Sequence, residues 1–303
     1  MMSVPIAYVG ILIIWSTTPL AVKWSTLGSD FIFAITSRIV ISALLLWLIM
    51  FLSGKKLPWD HSARRVYLAS ALGIYGAMMC VYWSSQYISS GVMSVLFGIT
   101  PLTTGLLAAY FLKEKSLTIS KSLGKLMGFA GLYVIFLYGA VLGKEVQYGV
   151  IAMFIGALLH STSLVWIKKI DSNLPALSVT TGGLLVASIP YLLTWFALGA
   201  SLPQNITTQG FVATGYLILI GSMLAFVMMF YVIKHVSASS VALIPLMTPV
   251  IGILLGQWLN NETITQQTMI GALLIMLGLV SYQWSYIRPV SGNVLKYIRG
   301  RVA

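Results

Sequence analysis

The sequence predicts an all-α polytopic membrane protein, with ten transmembrane helices forming two inverted five-helix repeats around a central cavity. Three observations predict it. The 303 residues are 58% apolar and only 8% charged, whereas soluble domains carry roughly 25% charge. A mean hydropathy of +0.94 leaves too little polar surface to face water. The apolar residues also gather into ten runs, and the second half of the chain echoes the first.

The runs lie at 4–22, 30–51, 66–86, 91–112, 122–140, 147–167, 176–198, 210–233, 238–259 and 267–287. Each is near the roughly 20 residues that a helix needs to cross a bilayer. Barrel strands would be shorter and would alternate in polarity. The first run is not read as a signal peptide, because no Lys or Arg precedes it and a second span follows. The loops are too short for a soluble domain. The repeats are placed at 1–143 and 144–288, with a basic cytoplasmic tail at 289–303.

Orientation follows from the basic residues. With the N-terminus in the cytoplasm, 15 of the 18 Lys and Arg fall on that side. Lys55, Lys56, Arg64 and Arg65 sit in the 2–3 loop, and Lys113, Lys115, Lys121 and Lys125 around the 4–5 loop. Lys168, Lys169, Lys234 and Arg288, with Lys296, Arg299 and Arg301 of the tail, complete the set. Both termini are therefore expected in the cytoplasm, and the location is expected to be a cell inner membrane. The net charge of +12 is read as loops facing anionic headgroups, not as a nucleic-acid surface. The single Cys80 lies in an apolar run and is read as packing.

The repeat is clearest where YISSGVMSVLFGITP (87–101) meets HVSASSVALIPLMTP (235–249). At a shift of 148 residues Ser89, Thr100, Pro101 and Glu114 meet Ser237, Thr248, Pro249 and Glu262. One residue is then lost in the next loop, and at a shift of 147 Gly124 and Gly131 meet Gly271 and Gly278. Five helices per copy is odd, so the second copy enters from the opposite face. Such inverted repeats bind ligands between their halves near mid-membrane.

These residues resemble the EamA family of the drug/metabolite transporter superfamily. GILIIWSTTPLAVKW at 10–24 is similar to the family's first helix, and ITSRIVISALLLWL carries an arginine at Arg38 where the family pattern places one. The stretch 86–132, with its SSG junction, span-four Pro, terminal Glu and Gly-containing fifth span, carries the resemblance best. The resemblance implies metabolite transport, often export of amino acids or related compounds, through a cavity lined by spans 1, 3, 4, 6, 8 and 9. One departure is His160, which stands where Trp15 stands in the first repeat.

Polar groups inside spans are costly and are functional suspects. The substrate-binding candidates are Trp15, Thr18, Tyr75, Met79, Tyr82, Phe97, His160, Ser163, Phe226, Pro245 and Thr248. His160 is either hydrogen-bonded to a neighbouring helix or a donor and proton carrier for substrate. Tyr75 and Tyr82, seven residues apart, form a stripe that is either packing or cavity wall. Pro101 and Pro249 are the gating candidates. Pro101 frees the Phe97 carbonyl, and Pro249 and Pro245 free those of Pro245 and Val241, so span 9 is expected to kink most. Lys23 is read as a snorkelling lysine. Arg38 lies roughly 12 Å into its span and is expected to meet backbone carbonyls. Glu114 and Glu262 are read as clamps on the N-terminus of the helix that follows each. Trp59, Tyr148, Trp258 and Trp284 are assigned to interfacial belts, and the Asn205-Ile206-Thr207 sequon is read as chance.

All six carboxylates fall in loops or at helix ends, which predicts a facilitator or an exchanger. If protons are coupled, His160 is the interior group to carry them. A membrane-embedded enzyme would need an acid/base pair or metal cluster, and no such motif is present. No cofactor is implied. The expected partners are a small-molecule substrate and the lipid bilayer, with the chain a monomer or weak dimer.

Overall fold

The computed structural model describes residues 4–112, 119–170, 172–199, 201–235 and 244–299. Among them every regular element is helical. The first repeat holds α1 (Val4–Ser25), α2 (Phe31–Leu52), α3 (His61–Ala71), α4 (Met78–Ser84), α5 (Ser90–Phe97), α6 (Thr100–Phe111) and α7 (Ile119–Leu142). The second holds α8 (Lys144–Ile170), α9 (Ala176–Ala197), α10 (Thr208–Tyr216), α11 (Ala225–His235), α12 (Ile244–Asn260) and α13 (Gln266–Arg299). Among the described residues, eight helices, some assembled from two of these elements, are long and apolar enough to cross a membrane. The apolar stretch Gln266–Tyr282 is shorter, and α12 has 17 residues. The chain is a multi-pass membrane protein. Its outward faces carry Leu44, Phe51, Leu126, Leu193 and Phe211, an apolar surface suited to lipid. Trp59, Tyr148, Trp258 and Trp284 are all exposed.

Two boundaries differ from the sequence reading. Span 3 begins five residues earlier, at His61, because the Asp60 carboxylate caps it by accepting from the N–H of Ser62 at 3.1 Å and of Ala63 at 3.3 Å. The cap lies in a polar stretch where an apolar search finds nothing. The last helix continues past 287 to Arg299. Glu114 and Val241 lie outside the described residues.

The third helix of each repeat contains a π-helical segment, Leu72–Ala77 between α3 and α4 and Leu217–Leu224 between α10 and α11. At the shift of 148 the two overlap, and Gly73 meets Gly221. Such widened turns strand carbonyls that another group must satisfy. In span 3 that group is the buried Tyr191, whose hydroxyl reaches the carbonyls of Ile74 at 2.9 Å and Tyr75 at 3.1 Å.

The two repeats meet closely along α7 and α13. A Cβ on Gly124 would lie 2.5 Å from the Gly278 carbonyl oxygen, and one on Gly131 would lie 2.5 Å from that of Gly271. Gly124 is the repeat mate of Gly271, and Gly131 of Gly278. The contact is therefore crosswise, as a two-fold relation between the copies requires. Ser120 and Ser281 exchange reciprocal bonds, each hydroxyl donating to the other's carbonyl.

Candidate functional site

Span 4 breaks its α-helical bonding at its centre, where Gly98 and Ile99 keep helical dihedrals but turn to tighter three-residue bonds. α5 stops at Phe97, α6 starts at Thr100, and Pro101 occupies the first turn of α6. The ring of Pro101 removes one backbone donor, and the Thr100 hydroxyl answers by donating to the Phe97 carbonyl at 2.6 Å. Below the break, three hydroxyls form a knot with span 6. Ser161 Oγ lies 2.6 Å from Thr103 Oγ1, accepts from Thr104 Oγ1 at 3.0 Å and donates to the Thr100 carbonyl at 3.2 Å. The doubled threonine in an apolar run was a signal for this knot that the sequence reading passed over.

His160 faces another way from its neighbour Ser161, as consecutive helical residues must. Its ring lies 5.3 Å from that of Phe97, and its Nδ1 is 3.8 Å from where a Cβ on Gly73 would sit. The imidazole is half-buried, and neither nitrogen has a hydrogen-bond partner among the described residues. Pro249 approaches the same break from span 9, its Cγ 3.1 Å from a Cβ position on Gly98. The break thus gathers Phe97, His160 and both gating candidates. In span 9 the helix α12 continues through Pro249, whereas span 4 is interrupted beside Pro101. Pro245 lies on α12 by its backbone, and Thr248 is half-buried there.

The tyrosine stripe turns elsewhere. The Tyr75 hydroxyl pairs with Thr194 Oγ1 at 2.8 Å, and its ring meets Tyr191 edge-on at 4.8 Å. Tyr82 is buried and faces span 2. Both tyrosines therefore stand between span 3 and its neighbours 2 and 7, while Met79 is half-buried against the core. The Ser163 hydroxyl donates to the Ala69 carbonyl at 2.7 Å, joining spans 3 and 6. Trp15 packs with the α1–α11 cluster, Phe226 against the main core, and the Thr18 hydroxyl donates back to Ile14 at 2.6 Å.

Arg38 is buried to 2% exposure. Its Nε donates to Ser222 Oγ at 2.9 Å, one terminal nitrogen to the Tyr82 hydroxyl at 3.4 Å and the other to the Gly221 carbonyl at 3.4 Å. One carbonyl and two hydroxyls thus replace the carbonyl set expected. No carboxylate neutralises the charge among the described residues. The guanidinium ties span 2 to span 3 and to the π-segment of span 8.

Two end-of-helix expectations are corrected. Lys23 does not snorkel. Its Nζ donates to the carbonyls of Ser85 at 3.0 Å and Ile88 at 2.8 Å, so it closes the C-terminus of span 3. Glu262 clamps α5 of the other repeat, not the helix that follows it. Its carboxylate accepts from the backbone N–H of Ser90 at 2.9 Å and Gly91 at 3.0 Å, where the helix dipole favours a negative charge. Asn260 donates to Glu262 at 2.9 Å and accepts from Trp24 Nε1 at 2.9 Å. One network therefore joins spans 1, 4 and 9. The sequon threonine has a local role too, since Thr207 Oγ1 caps α10 by accepting from Gly210 N–H at 3.0 Å. Among the described residues no three His, Cys, Asp or Glu side chains gather as a metal site.

The EamA-like transporter family model matches residues 3–137 and 147–282, one copy in each half. A Bacillus subtilis protein named as an uncharacterized transporter, YoaV, is 25% identical over 95% of this chain and 99% of its own. An Archaeoglobus fulgidus uncharacterized transporter is 27% identical over 88% of this chain and 93% of its own. The Escherichia coli inner membrane transporter YedA, also named as uncharacterized, is 26% identical over 84% and 82%. A crystal structure at 19% identity aligns with a TM-score of 0.65 over 92% of this chain and 96% of its own. That likeness concerns the fold.

Proposed function

The chain belongs to the EamA-like transporter family, and from that premise we propose a secondary carrier that exports amino acids or related amphipathic metabolites by alternating access. In this reading α12 and α13 complete ten spans in two inverted repeats, both termini face the cytoplasm of a bacterial cell, and the chain works as a monomer or weak dimer. The observation that carries it is the break in span 4, where Phe97, Pro101, His160 and Pro249 converge. A helix interrupted at mid-membrane next to the partner repeat is where such folds place substrate and hinge.

The interior supports the substrate class. Aromatic, methionine and hydroxyl side chains suit an apolar body with a polar end, and Arg38 supplies a positive field with no carboxylate partner among the described residues. Loaded proteoliposomes test the reading by counterflow. Vesicles filled with unlabelled amino acids are offered labelled ones singly, with no pH or voltage gradient. Transient accumulation of one label is expected. Its absence with folded, inserted protein overturns the amino-acid reading and moves the substrate to lipid-like or drug-like compounds.

A second reading, proton coupling, rests on the unpartnered imidazole of His160 beside the break. Replacing His160 then removes any pH dependence of transport.

A further inference from the structure

Span 2 ends in a turn that fixes two lysines beside the start of another helix. Gly54 has φ +65°, the left-handed conformation that closes a helix. Its N–H donates to the Phe51 carbonyl at 3.0 Å, and that of Lys55 to Met50 at 3.0 Å. These are the paired bonds of a Schellman motif, so backbone geometry sets where Lys55 and Lys56 depart. The buried Tyr67 steadies the next residues by donating to the Pro58 carbonyl at 2.8 Å.

Across from this turn stands the N-terminus of α9. Its cap is Pro175, which offers no capping side chain. The first-turn amides therefore lack acceptors among the described residues. Ser178 is 4% exposed, and its hydroxyl makes no hydrogen bond among the described residues. Lys55, Lys56, Pro175 and Ser178 wall a cavity of about 300 Å³. A second cavity, of about 220 Å³, shares both lysines and runs along Trp47 and Phe51. Those two rings stack at 5.8 Å and are exposed on the apolar flank of the bundle.

We propose that these joined cavities bind the phosphate of an anionic phospholipid headgroup. Two ammonium groups, free amides at a helix N-terminus and a buried hydroxyl are the donors that phosphate needs. Neither lysine has an ion-pair partner among the described residues. Trp47 and Phe51 offer the acyl chains an apolar wall, which a soluble phosphate would not use. A choline headgroup is disfavoured, because its cation would meet two lysines and the positive end of the helix.

Native mass spectrometry of the full chain, titrated with phosphatidylglycerol or phosphatidylcholine of identical acyl chains, tests the site. Phosphatidylglycerol is expected to bind preferentially, one molecule remaining attached longest. Lys55→Gln with Lys56→Gln lowers that affinity about thirtyfold, about fivefold per lysine. Ser178→Asp, which sets a carboxylate on the cavity wall, expels the lipid while the two lysines stay. Equal binding of the two lipids, or unchanged affinity in both variants, overturns the proposal. Inorganic phosphate binding as tightly as the lipid also overturns it, by making the acyl wall irrelevant.

Discussion

Removing the Glu262 carboxylate gives a graded test of how the two repeats are held together. The carboxylate satisfies two backbone amides at the start of α5, at 2.9 and 3.0 Å, and takes a third bond from Asn260. In Glu262→Ala both amides lose their acceptor, at about 1–1.5 kcal/mol each for a half-buried group. The lost charge at a helix N-terminus adds about 0.5 kcal/mol. The expected cost is about 3 kcal/mol. Glu262→Gln keeps one carbonyl oxygen but turns an amide donor toward the second N–H, so about half that cost remains. Unfolding in mixed micelles, titrated with sodium dodecyl sulfate and followed by tryptophan fluorescence, measures both. Stabilities within about 0.5 kcal/mol of the parent for both variants would refute the clamp. Equal losses for Ala and Gln would show that charge, not acceptor count, matters.

Further expectations follow from the packing. Gly124→Ala places a Cβ 2.5 Å from one backbone oxygen and 2.6 Å from the Tyr282 nitrogen. No side-chain motion relieves this contact, so α7 and α13 must part and stability falls by about 1–3 kcal/mol in the same assay. Gly215→Ala, where a Cβ meets nothing within 4 Å, is expected to be neutral or stabilising. Arg38→Lys loses the fork that spans Ser222, Tyr82 and Gly221, and thermal unfolding is expected to show a loss of about 1–3 kcal/mol; an unchanged melting curve contradicts that role. Ser161→Ala, which unties the hydroxyl knot between spans 4 and 6, costs about 1 kcal/mol and should leave protein that still inserts and folds. His160→Gln abolishes the pH dependence of transport if His160 carries protons, and an unaltered pH profile in that variant removes it from that role.

Hydropathy made the helices legible, because burying a backbone in lipid leaves helix as the spanning structure for apolar runs of this length. The glycines of the fifth and tenth runs were legible as repeat mates, and the structure shows why they are small, since only the smallest residue permits backbones to touch. Pro101 announced the break in span 4 through its missing donor. Side-chain direction was less legible. The seven-residue spacing of Tyr75 and Tyr82 establishes a shared face, but which helix covers that face depends on tertiary placement, and spans 2 and 7 cover it. Lys23 and Glu262 were placed correctly at helix ends, yet their partners lie on distant segments, Ser85–Ile88 and Ser90–Gly91. The π-segments left no periodic trace, because spans that are apolar on nearly every face carry no stripe whose phase a widened turn could shift.

The carrier reading rests on the break in span 4 being reached from one side of the membrane at a time. A Cys80→Ser background with Thr104→Cys puts one thiol beside the break, at a residue half-buried in the structure. A membrane-impermeant thiol reagent is applied to right-side-out and inverted vesicles, with and without the substrate found by counterflow. Alternating access predicts that substrate changes the two labelling rates in opposite directions. Equal labelling from both faces, indifferent to substrate, would contradict it and describe a pore.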